Sequence, residues 1–287
     1  MSPAPLWRLR DRSFDLEQPL AAGIVNVTAD SMFAGARSGT PERAIADGLA
    51  LAEAGFDMLD VGAVAARSGQ EVPAADEAGA LLPTVEGLAP RGLLLSADTF
   101  SAEVARQALD AGAVAINDIG GGSAEMLELV AASGCGYVLM HIEGPPRVDR
   151  RAPGYGDVVE HLKRWFGERL EAASARGVGE QQIVLDPGLD FDLSTDQDLE
   201  VLRRLAELSD LGRPLYVSLS RKDFIGALLA GSWEERLPAE EREWGTVAAA
   251  SLAVAAGARI LRLHDRSALQ AVRVAGRVAS PAPAGAA

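Results

Sequence analysis

Only one cysteine, Cys135, occurs in 287 residues, so no disulfide can form within the chain. Positive charge is also scarce: 27 Lys and Arg stand against 41 Asp and Glu, a formal charge of -14. With no block of cations interleaved with aromatics, nucleic acid is not an expected partner. No apolar run approaches the roughly 20 residues that a bilayer crossing needs. The opening stretch, MSPAPLWRLRDRSFDLEQPL, has no apolar core of a secretory signal, and a cytoplasmic protein with no membrane partner is expected. What is present is a chain 48% hydrophobic, enough for a large core. Cys135 falls in the strand-like run SGCGYVLMH, where a packing role is expected of it.

Short apolar runs recur along the chain. They are AAGIVNV (21–27), DMLDVGA (57–63), GLLLSADT (92–99), VAINDIG (114–120), GYVLMHI (136–142), QIVLDPG (182–188), PLYVSLS (214–220) and RILRLHD (259–265). Segments with helical spacing of Ala, Leu and charge separate them. In TPERAIADGLALAEAG, Thr40 can cap, Pro41 suits the first turn and Gly55 follows the last periodic residue; Ser101 and Gly112 bracket SAEVARQALDAGA in the same way. Eight strand-then-helix units with no evident linker predict an α/β fold, a (β/α)8 TIM barrel in preference to a doubly wound sheet. The barrel is expected over residues 21–279, after an N-terminal extension (1–20) and before a disordered Pro/Ala tail (280–287). The Pro- and Arg-rich stretch GPPRVDRRAPGY (144–155) should lie over the active face.

In a barrel the strands' C-terminal ends build the catalytic face. This chain puts polar residues at nearly all of them: Asn26, Asp60, Asp98, Asn117 with Asp118, His141, Asp186, Lys222, and Arg262 with His264. Any one of these carboxylates or amides could instead cap a helix or close a turn. Taken together, Asp98, Asn117 and Asp186 suit a ligand rich in N–H donors and acceptors, while Lys222, Arg262 and His264 suit an oxyanion. A hydrogen-bonding heterocycle carrying a phosphate group satisfies both sets. In so anionic a chain, an anionic ligand requires such a local cation cluster.

The order and spacing of NVTADS, LDVG with Arg67 beyond it, ADTF, INDIGG, LMH, LDPG, SRKDFIG and LRLHD closely resemble the dihydropteroate synthase family, from about Gly23 to about Ala275. The resemblance implies a TIM barrel, a homodimer and a transferase that joins p-aminobenzoate to a dihydropterin pyrophosphate in folate biosynthesis, with Mg²⁺ as cofactor. By motif, Asp98, Asn117, Asp186 and Lys222 match the residues that hold the pterin, and Asp98, Asp186 and Lys222 are the implied catalytic set. Asn26, Arg67, Arg262 and His264 match those around the pyrophosphate, with Asn26 nearest the metal. The resemblance also implies a dissociative reaction, in which pyrophosphate leaves the pterin's methylene carbon before the amine captures it. Arg221, next to Lys222, is expected to be a structural or dimer-side residue.

Departures from the family pattern cluster in loops. Where the family reads GGESTRPG this chain has GAVAARSG (62–69), in a loop that in the family helps form the p-aminobenzoate pocket. Ala29 replaces a proline and Met32 an aromatic residue. Asp190, Asp192 and Ser218 stand where the family has glycine, Leu193 where it has lysine and Asp198 where it has asparagine. Added side chains at glycine positions are expected to crowd the pterin. Two further readings therefore accompany the synthase: an inactive or altered paralogue that keeps a pterin or pyrophosphate ligand, and a pterin-dependent methyltransferase.

Overall fold

The structure is a computed structural model, which describes residues 5–27, 38–65, 69, 71–148, 150 and 154–279. Eight parallel strands close into a barrel: β3 (Leu20–Asn26), β4 (Met58–Gly62), β5 (Leu95–Asp98), β6 (Ala115–Asp118), β7 (Gly136–Met140), β8 (Ile183–Asp186), β9 (Leu215–Ser218) and β10 (Ala258–Leu263), with β10 pairing back to β3. Each of the eight apolar runs read from the sequence overlaps one of these strands, and all but the first and last contain it whole. Around them lie α1 (Pro41–Glu53), α2 (Ala74–Leu88), α3 (Ala102–Asp110), α4 (Ala124–Ser133), α5 (Val158–Ala175), α6 (Thr195–Arg203), α7 (Asp223–Ala230), α8 (Glu243–Ala255) and α9 (Arg266–Ala279). No helix among the described residues is long and apolar enough to cross a membrane.

The helix signals are used as their chemistry predicts. The Thr40 and Ser101 hydroxyls accept from the backbone N–H groups of Arg43 and Val104, and Gly55 and Gly112 follow their helices with φ of 98° and 115°. The main core lies between strands and helices and includes Cys135, which is fully buried with its thiol pushed up to about 11 by burial. That is the packing role expected of it.

A two-stranded antiparallel hairpin precedes the barrel: β1 (Leu6–Leu9) and β2 (Arg12–Asp15). Its Trp7, Leu9 and Leu16 pack with Ala22, Met58, Ala115, Val138, Val184, Tyr216 and Ile260, one residue from nearly every barrel strand. The hairpin thus forms the floor of the barrel, opposite the face where the strands end. The Trp7 indole N–H donates to the carbonyl of Gln182 at 2.8 Å, which satisfies its one buried polar group.

Candidate active site

The register sets the first row of the site. Gly62 pairs with Asp98, and Asp98 with Asn117, so the ends of β4, β5 and β6 stand level at the mouth of the barrel. Asp60, buried one pleat period below Gly62, is the hub: it accepts from Ser96 Oγ at 2.5 Å, from Asn117 Nδ2 at 3.0 Å, and from Arg262 Nε. Arg262 reaches across from β10 and donates its other arm to Asp98 Oδ2 at 2.5 Å. These bonds leave Asp98 Oδ1 and Asn117 Oδ1 buried without a hydrogen-bonding partner. Buried acceptors are nearly always paired, so two open ones side by side mark where a donor-rich ligand belongs.

Strand alternation separates Asn117 from its neighbour. Asp118 accepts from the N–H groups of Gly120 and Gly122 at 2.7 and 2.9 Å and from the Tyr137 hydroxyl at 2.6 Å. Its role is to hold the turn after β6, the alternative that any strand-end carboxylate carries.

Asp186 ends β8 in the turn Asp-Pro-Gly, and its Oδ1 accepts from Gly188 N–H at 2.9 Å. Gly188 has φ of 70°, and a Cβ there would come within 2.3 Å of the His141 carbonyl oxygen, so glycine is required. Lys222 lies just past β9 and immediately before α7. Its ammonium donates to the Leu189 carbonyl and sits 4.7 Å from the centre of the Phe191 ring. His264, just after β10, is held through Nδ1 by the Ser220 hydroxyl at 2.9 Å.

Burial dominates the electrostatics. It raises the carboxyls of Asp98 and Asp186, the latter to about 6, against the pull of Arg262 on Asp98 and of Lys222 on Asp186. Burial lowers Lys222, although Asp186, Asp190 and Asp198 oppose it, and lowers His264 to about 3, with Arg262 and Arg221 pushing in the same direction. Burial also opposes the charge of Arg262, but Asp60 and Asp98 outweigh it. Sequence reasoning groups Lys222, Arg262 and His264 as cations for an oxyanion. In the structure burial and the neighbouring guanidinium groups disfavour a charged His264, and Arg262 faces the two carboxylates of β4 and β5.

Arg221 stands apart from this set. Its backbone is left-handed, with φ of 55°, and its buried guanidinium binds Asp265 at 2.6 and 2.8 Å and the Ala239 carbonyl at 2.8 Å. It ties the loop after β9 to the loop after β10 and is structural.

The aspartates at family-glycine positions do not act as expected. Asp190 and Asp192 have φ of 67° and 56°, the left-handed region that glycine enters most readily. The Asp190 carboxylate accepts from the N–H groups of Asp223 and Phe224 and so caps α7, the helix that begins just after Lys222. Asp192 accepts from Glu143 N–H at 2.7 Å. Asp198 accepts from Asp190 N–H at 2.9 Å. Each added carboxylate is engaged with backbone of the surrounding loops instead of crowding the mouth.

Asn26 ends β3 on the same face. Arg67, Ala29, Met32, Ala66 and Ser68 lie outside the described residues, as does part of 144–155. From that stretch Arg147 reaches back to the Ala65 carbonyl at 2.6 Å, and Arg150 Nε lies 3.0 Å from Asp192. Sequence reasoning names Asp60 only as a strand-end acid and passes over Ser96, Ser220 and Phe191. An acid amid the apolar run MLDVG was the available signal, because a fully buried carboxylate requires partners.

Residues 22–264 match the family described as pterin binding enzyme. The chain is 37% identical over 251 residues to the dihydropteroate synthase of Synechocystis sp., covering 86% of this chain and 85% of that one. It is 39% identical over 257 residues to inactive dihydropteroate synthase 2 of Mycobacterium leprae, covering 87% and 86%. Among solved structures, dihydropteroate synthase from Xanthomonas albilineans in complex with 7,8-dihydropteroate superposes with a TM-score of 0.82 at 37% identity, covering 97% of this chain and all of that one.

Proposed function

The chain belongs to the pterin binding enzyme family, and from that premise we propose that it is a dihydropteroate synthase. It condenses 6-hydroxymethyl-7,8-dihydropterin pyrophosphate with p-aminobenzoate to give 7,8-dihydropteroate and pyrophosphate, a step of folate biosynthesis. The observation that carries this reading is the pair of open buried acceptors, Asp98 Oδ1 and Asn117 Oδ1, on the face that also carries Asp186 and Lys222. A pterin offers the matching edge of ring and exocyclic N–H groups.

In this reaction the bond between the pterin's methylene carbon and the diphosphate oxygen breaks, and its electron pair leaves with the diphosphate. The amine nitrogen then bonds that carbon and loses a proton. Ionised Asp98 and Asp186 stabilise the positive charge that develops on the pterin, in a site where burial strengthens every such term. Lys222 fixes the ring's orientation, and neutral His264, held by Ser220, offers Nε2 to the departing group. Arg67 belongs with the same group by its motif.

Mg²⁺ is the implied cofactor, and the donor set suits it. A hard cation that keeps several waters asks for one or two protein oxygens when a diphosphate supplies the rest, and the Asn26 side-chain oxygen at the end of β3 is such a donor. An ion held by Asn26 would supply positive charge for the leaving diphosphate.

A homodimer is supported by the outer faces of the last helices. Leu228 and Leu229 on α7, Trp244 and Leu252 on α8, and Val274 and Val278 on α9 are all exposed, Trp244 to 76%. Large exposed apolar groups concentrated on one side of a molecule mark an association surface. A cytoplasmic location accords with a buried, unpaired thiol.

The test is to identify the product by mass spectrometry after incubation with the pterin pyrophosphate, p-aminobenzoate and Mg²⁺. Dihydropteroate is expected. Tight binding of the pterin pyrophosphate without turnover would instead establish the inactive reading. Preferential binding of methyltetrahydrofolate would establish the methyltransferase.

A further inference from the structure

Two of the chain's three histidines meet a glutamate between the end of β7 and α5. His161 Nε2 lies 2.7 Å from Glu143 Oε1, and His141 Nε2 lies 3.5 Å from the same oxygen. One ligand atom from each residue falls within 4.8 Å of the other two. His141 is completely buried, yet neither of its ring nitrogens has a hydrogen-bonding partner, since 3.5 Å is too long for a bond of useful strength. A desolvated imidazole with no partner is a rare arrangement, and here its Nε2 points at the carboxylate and second imidazole. The ring cannot easily turn away: Trp165 packs edge-on at 5.0 Å, and Tyr155 lies 4.2 Å from the His161 ring beside it.

We propose that His141, Glu143 and His161 form a binding site for a divalent transition metal of the zinc class. Two imidazoles and one carboxylate are a borderline donor set that suits zinc, with a fourth position left for water, and suits Mg²⁺ or Ca²⁺ poorly. Glu143 and His161 are partly exposed, with side chains at 35% and 22%, so the site opens to solvent on one side. It uses a different strand end and different ligand chemistry from the Asn26 site. A bound ion would also fix Glu143, whose N–H donates to Asp192, and so steady the loop after β8 that carries Asp190.

The chain makes the experiment clean, because the remaining imidazole and thiol are His264 in the substrate site and the buried Cys135. Chelator-treated protein is titrated with Co²⁺, followed by visible absorption, and with Zn²⁺, followed by calorimetry. Alongside run His161→Ala, Glu143→Gln and His264→Ala, with folding checked by circular dichroism. The expected result is one Co²⁺ per chain with tetrahedral-type absorption, displaced by Zn²⁺ and not by excess Mg²⁺. The His161 and Glu143 variants should each lose at least the roughly tenfold in affinity that even outer-shell changes cost. His264→Ala should retain the site. Absence of the Co²⁺ absorption in the folded wild type, or unchanged affinity in the His161 and Glu143 variants, would overturn the proposal.

Discussion

Asp186, a proposed pterin ligand, is held by the fold at a cost to its charged form. Its carboxyl rises from 3.8 to about 6 on burial, so it stabilises the folded state below about 3.8, and that contribution is lost as pH rises through about 6. The proposed pterin contact runs the opposite way, because the ionised form is the one that would accept the ligand's N–H groups. Pterin affinity, measured by fluorescence across this range, should therefore fall as pH drops through about 6 in the wild type. Asp98, raised by burial to about 7, adds a limb of its own, so Asp186→Asn should remove only the component near 6, and an unchanged profile in the variant would contradict the assignment. At this scale the sequence was informative where a polar residue interrupts an apolar run. It could not distinguish a residue facing the barrel interior, such as Asn117, from a neighbour that closes a turn, such as Asp118. That distinction depends on strand phase, which a four-residue strand defines only once its partners are in place.

Among the elements, α7 depends on a residue from another loop. Lys222 occupies its N-cap position without a side-chain cap, and Asp190 supplies the missing acceptor, 33 and 34 residues before the two N–H groups it caps. Such a cap stabilises by about 0.5–2 kcal/mol. Holding a non-glycine residue at positive φ costs about 1–3 kcal/mol, with Asp at the low end. Asp190→Ala loses the cap and keeps the strain, so urea unfolding should show a loss of about 1–2 kcal/mol. Asp190→Gly loses both cap and strain, so its stability should change by less than about 1 kcal/mol. Equal losses in the two variants would contradict this account of the glycine replacement.

The hairpin is the second element-scale test. Trp7→Ala removes a fully buried indole from the barrel floor and should cost about 3–5 kcal/mol in the same measurement. A cost under about 1 kcal/mol would mean that the floor is not packed as described. The alternation Trp7, Leu9 against Arg8, Arg10 was legible as a strand pattern. It spans only four residues, too short a run to stand out from an extension until its partner β2 is in place. The cap from Asp190 had no such signal, since it joins two loops distant in sequence.

For the whole molecule, the barrel was legible because eight units repeat one grammar, and redundancy of that kind survives an error in any single unit. The surface proposed for association was not, because the exposed apolar side chains of α7, α8 and α9 belong to separate helices whose neighbourhood exists only after folding. Light scattering should show a dimer for the wild type and a monomer for the double variant Trp244→Asp, Leu252→Asp. A wild type that stays monomeric at high concentration would contradict that surface's role. The site is tested most directly by the rate of dihydropteroate formation by wild type and by Lys222→Ala under identical conditions with Mg²⁺. The wild type should form product, and kcat/KM should fall by at least about 100-fold in the variant, the scale for removing one positioned charge donor. Equal rates in both proteins, or no product from a wild type that binds the pterin pyrophosphate, would contradict the proposed function.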